Sequence, residues 1–196
     1  MIGISGIAAS GKDLFCRLLL KELKGQRIAL ADQLKEEVKP YIISKYGIDV
    51  TNCSTESKNK VRDFLVFYGG LKRFQTDGKY WTDIAQKKVD SCRSIPIVTD
   101  IRYDDYKNDE VSWVKGKNKG VLVHIRKYWE VENLFKMQRF YFDPPNEDEK
   151  RNDPELRNKA DYHIEWPHLE NQTTKQIEDT LRPFAKEFAE WYKNRS

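Results

Sequence analysis

The chain is short of cysteine and of long apolar runs, and both shortages narrow what it can be. Cys16, Cys53 and Cys92 are odd in number, far apart and without C-x-x-C or Cys/His spacing. That excludes a disulfide framework or a spaced zinc site and points to a reducing cytosol. Nowhere do about 18 apolar residues follow one another, as a membrane-spanning helix would need. The opening Met1-Ile2-Gly3-Ile4-Ser5 lacks the basic flank and apolar core of a signal peptide, so neither secretion by that route nor a membrane partner is expected. No internal repeat is present, and no strong excess of one charge: 35 Lys and Arg stand against 31 Asp and Glu, a formal charge of +4. That balance permits a nucleotide or nucleic-acid ligand without requiring one. At 196 residues and 39% hydrophobic content, one domain over residues 1–196 is expected.

The apolar spacing alternates between strand and helix. A short apolar run to Ser5 is followed from Lys12 by Leu14, Phe15, Leu18, Leu19 and Leu23 at helical spacing. A second strand is expected over residues 27–31, then a helix from near Asp32 that Pro40 would kink. Residues 55–89 read as two or three helices, interrupted at Gly69-Gly70 and Asp77-Gly78. Strands are expected over residues 95–100, 120–125 and 162–166, and a last helix from Thr173 or Thr174 that Pro183 would break. The charged stretch between Phe142 and Lys159 reads as a mobile flap. Five strands alternating with helices imply an α/β fold with a mostly parallel sheet covered on both faces.

Gly6-Ile7-Ala8-Ala9-Ser10-Gly11-Lys12 fits G-x-x-x-x-G-K between an apolar strand and an amphipathic helix, the context a phosphate-binding loop requires. Glycines let successive N–H groups turn inward onto phosphate oxygens, the helix N-terminus adds partial positive charge, and Lys12 reaches the β- and γ-phosphates. Gly6, Ala8, Ala9, Ser10, Gly11, Lys12, Asp13 and Leu14 are thus the expected ATP-binding residues. Asp13 stands where Ser or Thr normally places a hydroxyl on magnesium; its carboxylate can hold Mg²⁺ or favour the first helical turn. Thr99-Asp100-Ile101-Arg102 closes a strand at the carboxyl end of the sheet. There Asp100 can hold Mg²⁺ through water, and Arg102 can clasp an acceptor phosphate. Asp32, after the second strand, can orient or deprotonate the acceptor, or cap its helix.

With this loop, Ala31-Asp32-Gln33-Leu34-Lys35 and Thr99-Asp100-Ile101-Arg102, the chain resembles the deoxynucleoside monophosphate kinases of tailed bacteriophages over nearly its whole length. That family carries a Ser-Gly-Lys-Asp loop, as in Ser10 to Asp13, an Ala-Asp-x-Leu-Lys turn and a strand ending in Asp-x-Arg. The resemblance implies a P-loop kinase-like three-layer sandwich, a helical acceptor region at about residues 33–93 and a lid at about 127–160. It implies that Arg73 and Trp81, near Gly69-Gly70, hold the acceptor nucleotide, and that Arg126 lies over the ATP base or phosphates. Leu14 stands where the family usually has Thr, and the lid is longer than usual, with Arg139, Arg151 and Arg157 as candidate transition-state cations. Trp129, Phe135, Phe140, Tyr141 and Phe142 line a pocket or form the lid's own small core.

The expected activity is transfer of the γ-phosphoryl group of ATP, with Mg²⁺, to a deoxynucleoside monophosphate in the cytoplasm of a phage-infected bacterium. Lys12, Asp32, Arg102 and Arg126 would be catalytic, and Asp32, Arg73, Trp81, Asp100 and Arg102 would bind the acceptor. Nucleotides are the expected partners, and a homodimer is allowed. A related reading makes the acceptor the hydroxymethyl group of 5-hydroxymethyluracil within DNA, with Lys72, Arg73, Lys79, Lys87 and Lys88 along the backbone and Asp32 as base. A third is a non-catalytic nucleotide-binding module, favoured by Asp13 in place of the hydroxyl and opposed by Lys12, Asp32, Asp100 and Arg102 together.

Overall fold

A computed structural model describes the chain over residues 1–133 and 136–195; Phe135 lies outside the described residues. The strands are β1 Ile2–Ser5, β2 Gly25–Ile28, β3 Ile95–Ile101, β4 Val121–Asn133, β5 Lys136–Tyr141 and β6 Tyr162–Pro167. The helices are α1 Lys12–Leu19, α2 Leu30–Tyr46, α3 Thr55–Lys60, α4 Arg62–Gln75, α5 Lys79–Ser91, α6 Glu147–Lys159 and α7 Thr174–Lys193, with a π-helical segment at Ser112–Lys117. Five strands run parallel in the order β2-β3-β1-β4-β6. The fold is therefore α/β with a mostly parallel sheet, as its alternating pattern implies.

The sheet has six strands rather than five, because β4 does not stop at Ile125. Its outer half, from Tyr128, pairs antiparallel with β5. Val123 pairs with Ile4 on one edge and Tyr162 on the other, while Tyr128 pairs with Tyr141 and Pro167. Hence β5 continues the edge that β1 leaves free beyond Ser5. The hairpin rises past the point where the Gly6–Lys12 loop departs from β1.

Alternate residues feed two cores, as a pleated strand covered on both faces dictates. Ile97, Val121, Val123 and Ile125 pack with Phe15, Leu18 and Leu19 of α1 and Leu181, Ala185 and Phe188 of α7. Val98 and Leu122 pack the other way, against Trp81 and Ala85 of α5, Trp113 and Val114 of the π-helical segment, and Leu156 of α6. A third cluster, Val38, Ile42, Val50, Val61 and Leu65, ties α2 to α4 and to the segment between them. No helix among the described residues is long and apolar enough to cross a membrane.

Four boundaries depart from expectation, each for a tertiary reason. The second strand ends at Ile28, because the amides of Leu30 and Ala31 turn to donate to Asp100 at 2.9 and 2.7 Å and open α2 instead. Helix α4 runs through Gly69-Gly70 without a break; two glycines cost roughly 2 kcal/mol of propensity, less than the flanking Leu65, Tyr68 and Arg73 recover by packing. Helix α7 runs through Pro183, whose ring is exposed while Leu181, Ala185, Phe188 and Ala189 hold both halves to the core. The expected flap is largely helix α6, capped by the Asn146 side chain on the Glu149 amide at 2.9 Å and anchored by buried Leu156.

Phe188 is fully buried, with ring contacts to Phe15 at 5.6 Å, Tyr162 at 5.2 Å and Trp191 at 5.5 Å. Phe188→Ala should cost about 3–5 kcal/mol, read as a lowered urea midpoint with an unchanged m value.

Candidate functional site

The loop between β1 and α1 has the dihedral angles of a phosphate cradle. Gly6, Ala9 and Gly11 have φ of 133°, 60° and 98°, so the chain curls as a backbone nest does, and the Ser10 N–H closes a turn on the Ile7 carbonyl at 3.2 Å. A Cβ on Gly6 would lie 2.4 Å from the Ile125 carbonyl oxygen, and one on Gly11 2.4 Å from Trp166 Cζ2. Trp166, fully buried at the end of β6, donates its indole N–H to the Ser10 carbonyl at 2.9 Å. The loop is held from beneath by a side chain 156 positions distant, a support that nothing in the motif signals.

Lys12 is buried, and its Nζ donates to the carbonyls of Gly6 at 2.6 Å and Ile7 at 2.7 Å. Burial, with repulsion from Arg102, lowers its pKa to about 8. The Ser10 hydroxyl is buried with no hydrogen-bond partner among the described residues. The amide of Ala8 donates at 2.5 Å to Oε2 of Glu149 in α6, a carboxylate oxygen standing where a phosphate oxygen would be received.

A cleft of about 500 Å³ leads from Ala8, Ala9, Gly11, Lys12, Asp13 and Leu14 to the helical region. It contains an apolar slot made by Leu30, Leu34, Leu65, Val66, Gly69 and Gly70, rimmed by Lys35, Lys58, Arg62 and Arg102. Burial and then repulsion from Lys35 and Arg62 lower the Lys58 pKa. An anion bound among these cations would relieve that repulsion. Lys58 and Arg62 were not marked by any motif, and Lys35 closes the Ala31–Lys35 turn without having been given a role; only their convergence from α3, α4 and α2 reveals the cluster.

Arg73 lines this cleft but is not free to clasp a ligand. Its Nε donates to Asp109 at 3.2 Å, its Nη2 donates to Asp109 and, at 3.2 Å, to Asp105, and its guanidinium lies 3.6 Å from the Tyr103 ring centroid. Burial opposes the charge, but Asp109 holds the guanidinium above its ordinary pKa. Neighbouring Glu110 accepts the amides of Arg102 and Tyr103 at 2.5 and 3.1 Å, and burial, with repulsion from Asp109, raises its pKa to about 8. Trp81 donates its indole N–H to the Gly69 carbonyl at 3.1 Å and so fixes α4 against α5.

The carboxylates are distributed differently from the sequence reading. Asp32 is absent from the cleft lining and pairs with Arg27 at 3.1 Å and Lys35 at 3.3 Å. Burial opposes its charge, but those cations hold its pKa below the usual value, which makes it a weak base. Arg27 also reaches Asp13 at 3.3 Å. Asp100 lines the cleft with both oxygens already taken by the α2 amides, so its geometry gives it the work of capping α2.

A second cleft of about 500 Å³ lies between the β4–β5 hairpin and α6, bordered by Ile7, Arg126, Tyr141, Asp153 and Arg157. Arg126 pairs with Glu165 at 3.2 Å and lies 3.5 Å from the Tyr141 ring centroid. Arg139 pairs with Glu130 at 3.0 Å, and Arg151 with Asp148 at 3.6 Å and Asp105 at 3.7 Å. Arg157 makes no side-chain ion pair among the described residues. Trp129 contacts Phe140 at 6.0 Å and Phe142 at 4.8 Å, a small aromatic cluster on the β4–β5 hairpin, while Tyr141 and Phe142 also border the second cleft.

A triphosphate suits this loop: inward amides, the orphaned Ser10 hydroxyl and Lys12 are its natural ligands. For Mg²⁺ the protein contributes little. Among the described residues no group of three His, Cys, Asp or Glu side chains converges on one point. Asp13, 79% exposed at the cleft mouth, is the carboxylate left for an ion otherwise held by phosphate oxygens and water.

No protein-family model matches the chain, and no curated protein matches it either. Among solved structures, shikimate kinase from Aquifex aeolicus VF5 is similar at a TM-score of 0.42 and 13% identity over 95% of both chains. Shikimate kinase from Acinetobacter baumannii, in complex with shikimate, is similar at 0.42 and 14% over 97% of this chain and 89% of that one.

Two outcomes follow. Protonated Lys12 attracts phosphate and neutral Lys12 does not, so affinity should fall as pH rises through 8. Calorimetry with inorganic tripolyphosphate should find binding about tenfold weaker at pH 9 than at pH 7. Asp109→Ala would strand the buried Arg73 guanidinium and should cost about 3–5 kcal/mol in urea unfolding.

Proposed function

We propose that the chain is an ATP-dependent kinase that transfers the γ-phosphoryl group to a deoxynucleoside monophosphate, with Mg²⁺. The observation that carries this reading is one continuous cleft, joining the amide-lined loop and Lys12 to an apolar slot rimmed by Lys35, Lys58, Arg62 and Arg102. An apolar slot suits a flat base, and the cations at its rim suit an attached phosphate. The acceptor side resembles what the phage kinases require, through Ala31-Asp32-Gln33-Leu34-Lys35 and Thr99-Asp100-Ile101-Arg102.

In this mechanism the loop amides and Lys12 hold the β- and γ-phosphates. Asp13 would hold a Mg²⁺ ion beside the phosphates, and that ion would supply charge neutralisation for the transferred group. Arg102 sits at the junction of the two substrate sites and draws acceptor and donor phosphates together. Arg126, fixed by Glu165 and Tyr141, and Arg157 bring positive charge from the lid cleft. Catalysis is positioning and charge neutralisation, since a phosphate oxygen is nucleophilic at neutral pH without a base. Arg73 and Trp81 line the cleft but act through the contacts that fix them, by setting Tyr103 and α4. The salt-bridged state of Asp32, away from the cleft lining, favours a phosphate acceptor over an alcohol.

One feature favours the DNA-directed reading. Phe67, Leu71 and Phe74 form an exposed stripe on α4, 65%, 36% and 71% accessible, alongside the cleft-lining Val66 and Gly70. Exposed aromatic rings beside a cationic cleft suit stacking on nucleobases.

Labelled ATP with Mg²⁺, offered against deoxynucleoside monophosphates, ribonucleoside monophosphates and hydroxymethyluracil DNA, tests both readings. Label should pass to a free deoxynucleotide, and transfer to DNA alone would overturn the first choice. Lys12→Ala should lower kcat by about a thousandfold or more with the fold intact, whereas Asp32→Asn should lower it less than about tenfold. A larger loss in Asp32→Asn would return that residue to the role of base.

A further inference from the structure

The residue on the Ala8 amide is an acid of the lid, not a neutral side chain of the loop. Glu149 comes from the first turn of α6, 141 positions away, and its carboxylate bridges two groups of the candidate phosphate site. Oε2 accepts the Ala8 N–H at 2.5 Å, and Oε1 accepts from Arg102 Nη1 at 3.3 Å. A third contact, Asn146 Nδ2 to Oε1 at 3.4 Å, is the long side of a helix cap. The side chain is only 12% exposed.

Glu149, Asp153 and Arg157 are spaced i, i+4 and i+8, and so share one face of α6. Asp153 Oδ1 lies 3.6 Å from His124 Nε2 on β4, and Arg157 borders the lid cleft. This face therefore meets the loop and the sheet with two acids followed by one cation. Lys12, meanwhile, is turned onto the Gly6 and Ile7 carbonyls rather than outward to an anion.

We propose that Glu149 is an internal substitute for a nucleotide phosphate, so that α6 in this position plugs the loop and must withdraw its carboxylate before a triphosphate can seat. The inference rests on the reading of the loop as a nucleotide site. A phosphate oxygen and the Glu149 carboxylate compete for the same N–H and the same guanidinium, and as like charges they cannot share them. Seating of the triphosphate turns Lys12 outward and expels Glu149, while Arg157 on the same helix face is attracted to the arriving charge. The plug lowers apparent affinity by the fraction of molecules in which the loop is free.

Binding of ATP and of inorganic tripolyphosphate, measured by calorimetry on the whole chain, tests this. Glu149→Gln and Glu149→Ala should each lower Kd by about tenfold for both ligands. Glu155→Gln, an equal change of charge on α6 away from both clefts, should leave Kd within about twofold. Hydrogen exchange should also find the first turn of α6 less protected when nucleotide is bound to the wild type. If the wild type binds ATP and both Glu149 variants bind it equally or more weakly, the plug is refuted while the loop reading stands. If all three variants bind tighter alike, the effect is general charge and the plug is again refuted. If neither wild type nor variants bind either ligand, both readings fall.

Discussion

Everything in the site depends on keeping one curled stretch of backbone in a single shape. Between Gly6 and Gly11 three residues have positive φ, and because two of them are glycine a free chain would visit many other conformations. The indole of Trp166 prevents that, filling the space beside Gly11 and bonding the Ser10 carbonyl. Trp166 is itself wedged by Phe15 and Phe184. The core beneath α1 and α7 and the binding geometry above it are therefore one mechanical unit.

Charge organises the rest. Cations from α2, α3, α4 and the end of β3 converge on one cleft, and the fold tolerates their repulsion because acids are placed behind them or across from them. Asp109 and Asp105 hold Arg73, Asp32 holds Arg27 and Lys35, and Glu149 stands against Arg102. Those behind are structural: a guanidinium buried against Asp109 is costly to disturb. The pair at the loop differs: an anion bound there would offer Arg102 the same charge that Glu149 does. The division between scaffold and machinery runs between these two groups of ion pairs rather than between residue types.

The local pattern was a good guide wherever one element's periodicity decided its state, as in β1, β3 and β6, and for the start of α1 but not its end at Leu19. It was a poor guide where neighbours decided. The charged run from Glu147 is helical because Leu156 finds a core and Asn146 a cap. The hairpin of β4 and β5 exists because β1 is too short to cover the edge of β4. Glycine and proline, read as interruptions at Gly69-Gly70 and Pro183, were carried by the packing on either side.

By itself the sequence determined the alternation of strand and helix, the glycine-rich loop between β1 and α1 and the carboxyl ends of strands as the border of the candidate site. Each is a property of neighbouring residues: hydrophobic period, glycine at a tight turn, lysine at a helix start. Only the tertiary structure decided which charged groups meet. It sent Asp32 to Arg27, closed both oxygens of Asp100 on α2, buried Arg73 in its acids, assembled Lys35, Lys58 and Arg62 around a slot, and laid Glu149 on the loop. Pairing between residues tens of positions apart depends on distances in space, and no reading along the chain contains them.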